Sequence, residues 1–145
     1  MQKIFKLIIL IYISLLCPNL VTAKENFFAE ALKMFENKKY DDAKFMLERN
    51  IVFNPKDAKS YLYLAKIYNH EKDQRKEEYN LETALLIEPN NEEVILMIMN
   101  IALKNSNYSK VKNLSQTFIK VCSKLCDENE KILESLKNIE PKNES

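Results

Sequence analysis

The sequence predicts an all-α fold that is built from stacked pairs of helices. Three observations support this class: the chain of 145 residues contains no Gly, its apolar residues recur at helical spacing, and its pattern recurs every 34 residues. Because tight hairpins favour Gly, an all-β fold is not expected. The absence of Gly also excludes Gly-rich phosphate-binding loops, dinucleotide-binding fingerprints and nucleophile elbows.

Residues 1–23 show the order of regions that is typical of a secretory signal peptide. Lys3 and Lys6 precede the largely apolar run Leu7–Leu16, and small or β-branched residues lead up to Ala23. As a helix this run spans only about 15 Å, roughly half of the hydrocarbon core of a membrane. We therefore expect cleavage after Ala23 and an exported protein, either periplasmic or secreted. An uncleaved N-terminal segment that anchors the chain in a membrane is the alternative.

The first two helices are predicted near residues 25–37 and 40–53. The second begins with Asp41 and Asp42, because acidic side chains are stabilised by the helix dipole at this end. Pro55 closes the pair, since the residue before a Pro is kept out of helical geometry. The apolar stripe of the first helix comprises Phe28, Ala31, Leu32 and Phe35.

The next two helices are predicted near residues 58–70 and 74–87, and Pro89 closes this pair 34 residues after Pro55. The segment Glu71–Glu78 contains no apolar side chain, and a Glu buried at a helix crossing is costly unless it is paired. We therefore expect the fourth helix to begin late, or its first turn to stand away from its neighbour. That start is either a solvated surface or a charged lip that contacts a partner. The stripe of the third helix comprises Tyr61, Leu64, Ala65 and Tyr68.

The last three helices are predicted near residues 92–105, 108–122 and 128–139. Asp127 can cap the last of them, and a polar tail at residues 141–145 is expected to be disordered. The last helix is predicted to cap the stack, with an apolar inner face and a polar outer face. The stripe of the fifth helix comprises Ile95, Ile98, Met99 and Ala102. The stripe of the last helix comprises Ile132, Leu133, Leu136 and Ile139.

A helix–turn–helix unit that repeats every 34 residues resembles the tetratricopeptide repeat family. The resemblance divides residues 24–140 into units 24–57, 58–91 and 92–125, followed by a capping helix at residues 127–139. It implies a short right-handed α-solenoid. The residues that match the family pattern are Phe27, Ala31, Tyr40, Ala43, Leu47 and Pro55 in unit one, Tyr61, Leu64, Ala65, Tyr68, Leu81, Ala84 and Pro89 in unit two, and Ile98, Tyr108, Val111, Phe118 and Ile119 in unit three.

Two positions of the family pattern that often hold Gly are occupied differently here. The small position of the first helix holds Ala31, Ala65 and Met99 in successive units, and Met99 is the exception in size. The turn inside each unit holds Lys38, Lys72 and Ser106 instead, as listed by their 34-residue spacing. The third unit, which also has no closing Pro, is therefore the least regular of the three.

In this family the first helices of successive units line a concave surface that binds peptides or protein segments. The resemblance therefore implies an adaptor, a protein-interaction module that binds a segment of another protein in this groove. The apolar residues form either such a groove or internal core, and the last helix of the chain could itself fill the groove. A Lys/Asn clamp for a C-terminal carboxylate is not expected, because Phe28 and Leu32 occupy its places on the first helix. The implied groove residues are Phe28, Leu32, Phe35, Leu62, Tyr63, Lys66, Asn69, Leu96, Met97, Asn100 and Leu103.

The alternative function is that of a structural component that helps to assemble an envelope complex. Such a component would have no peptide groove. It would act through its edges, using the charged lip at residues 72–78 and the last helix.

Cys122 and Cys126 are the two cysteines that remain after the expected cleavage. On one helix their Cα atoms would be about 6 Å apart, within the range of a disulfide, and an exported chain meets an oxidising compartment. A bridge would join the end of the third unit to the last helix. Two packed free thiols, or a redox or metal role, are the alternatives, although the spacing is not that of thiol oxidoreductases.

The sequence offers little to support catalysis. It contains a single His, His70, which excludes a multi-histidine metal site, and its adjacent acidic pairs do not face each other on a helix. With 22 basic and 21 acidic residues, the charge balance gives no reason to expect nucleic acid as a partner. We expect no enzyme activity, cofactor, metal or small-molecule substrate. Membrane contact is expected only through an uncleaved N-terminal segment.

Overall fold

A computed structural model describes residues 26–139 of the chain. All regular secondary structure in this range is α-helical, as the sequence predicts. The signal peptide predicted at residues 1–23 and the tail predicted at residues 141–145 lie outside the described residues. The helices are α1 (Phe27–Glu36), α2 (Tyr40–Phe53), α3 (Ala58–Glu71), α4 (Gln74–Ile87), α5 (Glu92–Lys104), α6 (Tyr108–Val121) and α7 (Cys126–Ile139). None of these seven has both the length and the apolar character that crossing a membrane requires.

The helices pack as three consecutive pairs that are followed by α7. Within the pairs α1 packs on α2, α3 on α4 and α5 on α6, and each pair contacts the next element through its second helix. Helix α7 contacts both α6 and α5. Helices α3, α5 and α7 begin at residues 58, 92 and 126, which keeps the period of the sequence. Helix α7 therefore takes the place of the first helix of a fourth unit and covers the end of the stack.

The turn inside each pair has the same backbone conformation. Lys38, Lys72 and Ser106 have φ angles of 60°, 61° and 55°, in the left-handed region. In each turn this residue donates its amide to the carbonyl three residues back, and the next residue donates to the carbonyl five residues back. This is the hydrogen-bond pattern of a Schellman motif, which usually has Gly at the left-handed position. The repeat thus keeps its turn geometry without Gly.

Apolar side chains fill three clusters along the stack. The first unites α1 and α2 with α3, the second α3 and α4 with α5, and the third α5 and α6 with α7. Ala31, Ala65 and Met99, which share one position of the repeat, are all fully buried. Met99 lies in the same cluster as Phe118 and Ile132, so its extra volume is accommodated where the third unit meets α7.

The start of α4 differs from the expectation of a late or outlying first turn. Helix α4 begins at Gln74, and Glu77 in its first turn is only 5% exposed. Asn69 of α3 donates from Nδ2 to Glu77 Oε1 at 2.8 Å. Burial raises the pKa of Glu77, and the hydrogen bond from Asn69 opposes this rise. The helix begins early because a partner on α3 satisfies the buried carboxyl group.

The junction between the first two units contains a buried polar network. Asn50 Nδ2 donates to Ser60 Oγ at 2.8 Å and to Asp57 Oδ2 at 2.7 Å. Ser60 Oγ also donates to Asp57 Oδ2 at 2.7 Å. The positions equivalent to Asn50 and Ser60 in the next junction hold Ala84 and Val94, which are both fully buried. One junction is therefore held by polar contacts and the next by apolar packing.

Candidate functional site

The aromatic residues that the sequence predicts for the groove come together between α1 and α3. The Tyr63 ring lies edge-on to Phe28 and Phe35, with ring centroids 5.7 and 5.0 Å apart. All three side chains are partly exposed, and so is Leu32, which lies one turn from both Phe residues on α1. We call these four residues the aromatic surface. Ring contacts hold its shape while part of it stays open to solvent.

Further ring contacts continue from the aromatic surface toward the ends of the first helices. Phe35 lies 5.6 Å from Tyr40 at the start of α2, and Tyr40 lies 4.4 Å from His70 near the end of α3. These contacts fix α1, α2 and α3 relative to one another. His70 therefore has a packing role beside the surface.

Lys66 keeps a cationic group next to the aromatic surface. Its Nζ lies 4.4 Å from the centroid of the Tyr63 ring and 2.8 Å from Glu93 Oε1 of α5. Asn69, the next predicted groove residue on α3, donates to Glu77. Both polar residues that the sequence predicts on this helix are therefore engaged in contacts within the chain.

The remaining predicted groove residues lie in two different environments. Leu62 and Leu96 are buried, with 5% and 7% of their surface exposed, and belong to the core. Met97 is partly exposed and packs against the cluster that contains Leu62. Leu96, Asn100 and Leu103 line a cavity of about 240 Å³ whose opposite wall is formed by α7. Helix α7 thus covers the part of the predicted groove that lies nearest the end of the stack.

Cys122 and Cys126 are joined by a disulfide in the structure, and their Cα atoms are 5.4 Å apart. Cys122 follows the last residue of α6, and Cys126 is the first residue of α7. The bridge therefore joins the end of the third unit to the last helix and closes a short loop of residues 123–125.

This loop binds the carboxylate of Glu92, the first residue of α5. Glu92 Oε1 accepts from the hydroxyl and the amide of Ser123 at 2.7 and 2.8 Å. Glu92 Oε2 accepts from the amides of Leu125 and Lys124 at 2.8 and 3.1 Å. The Ser123 hydroxyl and then the loop amides lower the pKa of Glu92 to about 2. The sequence pattern marks Glu92 only as an acid at a helix start, because no local signal links it to a loop more than 30 residues away.

A cleft of about 740 Å³, which the sequence does not predict, lies at the junction of the first two units. Its walls include Phe28, Phe53 and two members of the polar network, Asn50 and Asp57. Phe28 therefore lies between this cleft and the aromatic surface.

Comparison with known proteins places the fold. No protein-family model matches the sequence, and no curated protein matches it. The type III secretion chaperone SycD of Yersinia enterocolitica, solved in complex with a peptide of the translocator YopD, matches with a TM-score of 0.67 and 11% identity over 79% of this chain and 90% of that chain. The tetratricopeptide repeat domain of Sgt2 from Aspergillus fumigatus matches with a TM-score of 0.65 and 13% identity over 79% of each chain.

A chain of the CopN–Scc3 complex also matches, with a TM-score of 0.63 and 12% identity over 76% of this chain and 66% of that chain. At identities this low the likeness concerns the fold alone. The chain has the fold of a tetratricopeptide repeat domain, as the 34-residue period predicts.

Proposed function

We propose that this chain is a protein-interaction module that binds a peptide or protein segment on the aromatic surface of α1 and α3 and so acts as an adaptor. The observation that carries the proposal is the set of ring contacts among Phe28, Phe35 and Tyr63, which stay partly exposed. Exposed aromatic side chains with fixed positions are the residues that contribute most to protein interfaces. They also lose little conformational entropy on binding, because their neighbours already hold them.

The proposed ligand is a segment with bulky apolar side chains. Leu32 and Met97 add apolar surface beside the rings, and Met adapts its shape to different partners. Lys66 and Asn69 are engaged within the chain, so they are not free to clamp a C-terminal carboxylate. We therefore propose that binding depends on apolar side chains of the segment and not on a free chain end.

The likeness to SycD supports a peptide ligand, because that chaperone was solved in complex with a peptide. The likeness extends to the fold and not to the sequence of any binding site. It therefore supports the class of ligand and leaves the identity of the partner to experiment.

We also propose that the module acts after export, with residues 1–23 removed and the repeat units at 24–57, 58–91 and 92–125. The disulfide between Cys122 and Cys126 supports this, because disulfides persist in oxidising compartments such as a periplasm or the outside of a cell. Sequencing the N-terminus of the protein isolated from its own cells tests the proposal. A chain that begins at Lys24 supports it, and one that begins at Met1 contradicts it.

An assembly role through the charged lip has less support. The lip at residues 72–78 directs its side chains to partners within the chain: Lys76 pairs with Asp73 at 3.1 Å, and Glu78 lies 3.8 Å from Lys110. Internal pairing of this kind leaves fewer charges for a partner. We therefore prefer the aromatic surface.

Alanine substitutions on the aromatic surface test the proposed function. Phe35→Ala and Tyr63→Ala remove ring contacts, and we expect either change to weaken partner capture by about tenfold or more. Leu86→Ala is the matched control, because Leu86 is 83% exposed and lies on α4. The measurement is a cross-linking pull-down from the cell of origin, quantified by mass spectrometry, with helix content checked by circular dichroism. If folded Phe35→Ala and Tyr63→Ala chains capture the same proteins as Leu86→Ala, the proposal is wrong.

A further inference from the structure

We propose that the loop closed by Cys122 and Cys126 is a redox-controlled latch that holds α7 over the end of the concave surface. Reduction of the disulfide would release α7 and expose the apolar residues of α5 beneath it. The latch is a property of the chain alone. Its consequence for a bound segment rests on the proposed function.

The first step of the argument is the set of hydrogen bonds that ties α7 to α5. Three consecutive amides, those of Ser123, Lys124 and Leu125, converge on the carboxylate of Glu92, and the Ser123 hydroxyl adds a fourth bond. Successive amides that point into one concavity form an anion-binding nest. Because Glu92 begins α5 and the loop leads directly into α7, this nest fastens the start of α7 to the start of α5.

The second step is the position of the disulfide around this nest. The bridge joins the residues on either side of residues 123–125, with the Cα atoms of Cys122 and Cys126 5.4 Å apart. A closed ring of this size restricts the backbone of the loop, so little conformational entropy remains to be lost when three amides point the same way. Without the bridge, the loop must lose that entropy to bind Glu92, and the nest becomes less stable.

The third step is the limited packing of α7. Ile132 and Leu136 are buried, with 7% and 3% exposed, in the same cluster as Leu96. Asn129 is also buried on this helix, at 4% exposed, and its Oδ1 has no hydrogen-bond partner among the described residues. The equivalent position one unit earlier holds the fully buried apolar Ile95. A buried amide oxygen without a partner costs free energy that exposure to water would return, so α7 is docked less firmly than an apolar helix would be.

The fourth step is what α7 covers. The cavity between α5 and α7 is lined by Leu96, Asn100 and Leu103 on one side and by residues of α7 on the other. Leu96 and Leu103 also belong to or pack against the cluster that includes Ile132. Release of α7 would therefore extend the open apolar surface from α1 and α3 onto α5.

The chemical step needs a dithiol reductant. Each reduction breaks the bond between the two Sγ atoms, adds two electrons and two protons, and leaves two Cys thiols. The dithiol gives up the same two electrons and two protons and leaves as its own disulfide. Reoxidation reverses the step and closes the latch again.

Hydrogen exchange of the purified full chain tests the latch without any partner. We expect reduction by excess dithiol to raise amide exchange in α7 by about tenfold or more and to leave α1–α4 unchanged. Cys122→Ser/Cys126→Ser should show the same pattern without reductant. In the oxidised chain, Glu92→Gln should also raise exchange in α7. Glu93→Gln, which removes a neighbouring acid that pairs with Lys66 and does not contact the loop, is the matched control and should leave α7 unchanged.

Two results would overturn the latch. One is equal exchange in α7 of the oxidised and reduced wild-type chains, a comparison that holds even if the double Ser variant fails to fold. The other is a uniform rise in all seven helices on reduction, which would make the bridge a staple for the whole fold. Because no partner is present, a failure of segment binding leaves this test intact. A photo-cross-linker at Leu103 that captures the segment only after reduction would then support the link between the latch and binding.

Discussion

Lys38, Lys72 and Ser106 hold a backbone conformation that favours Gly, at the same position of three successive units. An L-residue in the left-handed region costs about 1–2 kcal/mol because its Cβ approaches the following carbonyl. The turns keep this geometry because the Schellman hydrogen bonds satisfy the carbonyls at each helix end. The absence of Gly in the sequence thus corresponds to three positions of backbone strain.

Ser106→Gly is expected to raise the free energy of unfolding by about 0.5–1 kcal/mol, because Gly relieves the strain and loses part of the gain to entropy. Ser109→Gly is the matched control at an exposed helical position of α6, and we expect it to lower the free energy of unfolding by about 0.5 kcal/mol. Urea unfolding monitored by circular dichroism measures both changes. Equal destabilisation by the two substitutions would contradict the strain at Ser106.

Glu92 is the residue whose ionisation responds most clearly to its surroundings. Its pKa is about 2 in the folded chain, against an ordinary value of 4.5. Because the folded pKa is the lower one, the stabilisation by this carboxylate is complete above about pH 4.5 and is lost as the pH falls toward 2. The interaction of Glu92 with residues 123–125 should therefore weaken in acid.

The difference in unfolding free energy between the wild-type chain and Glu92→Gln should be largest near neutral pH and should shrink as the pH falls through this window. Other carboxylates with lowered pKa values, such as Asp73 beside Lys76, are present in both chains and cancel in the difference. Urea unfolding at a series of pH values gives the measurement. A difference that does not change with pH would show that the charge of Glu92 contributes nothing to its contacts with the loop.

At the scale of the helices, two equivalent junctions are held together by different chemistry. Asn50 and Ser60 bond to each other and to Asp57 in the first junction, while Ala84 and Val94 pack in the second. A buried polar network is stable only while every member keeps its partners. The second junction therefore provides an apolar replacement from within the same chain.

Asn50→Ala alone is expected to lower the free energy of unfolding by about 1–3 kcal/mol, because it leaves the buried Ser60 hydroxyl without its donor. Asn50→Ala/Ser60→Val copies the second junction, and we expect it to recover most of that loss. A double-mutant cycle in urea gives the coupling between the two positions. If the double substitution costs as much as the sum of the single ones, the two junctions are not interchangeable.

The helices could be predicted from the sequence because their signals are local. Stripes at helical spacing, with Pro55 and Pro89 one period apart, indicate both the elements and their order. The start of α4 could not be predicted, because the burial of Glu77 depends on Asn69 of the preceding helix. A contact between two polar residues on different helices leaves no periodic pattern in the sequence.

At the scale of the whole molecule, the predicted groove divides into an open and a covered part. The aromatic surface of α1 and α3 is partly exposed, whereas Leu96, Asn100 and Leu103 of α5 face α7. The repeat pattern predicts the inner helices and hence the groove residues. It leaves open whether α7 covers them, because that depends on how Glu92 and the disulfide loop orient the last helix.

The division of the groove gives each part a separate role in the account. The open part is the proposed binding surface, and the covered part is where the proposed latch acts. A short repeat stack curves little, so a bound segment gains contacts mainly from the length of apolar surface that it can follow. An oxidised chain should therefore bind through α1 and α3 alone.

Site-specific photo-cross-linking tests the central claim most directly. A benzophenone amino acid is placed at Leu32, on the aromatic surface, or at Leu86, which is 83% exposed on α4. Each chain is expressed in the cell of origin, irradiated and analysed by mass spectrometry. The account predicts cross-links to one segment of a partner protein from position 32 and none to that segment from position 86. Cross-links to the same segment from position 86, with none from position 32, would contradict it.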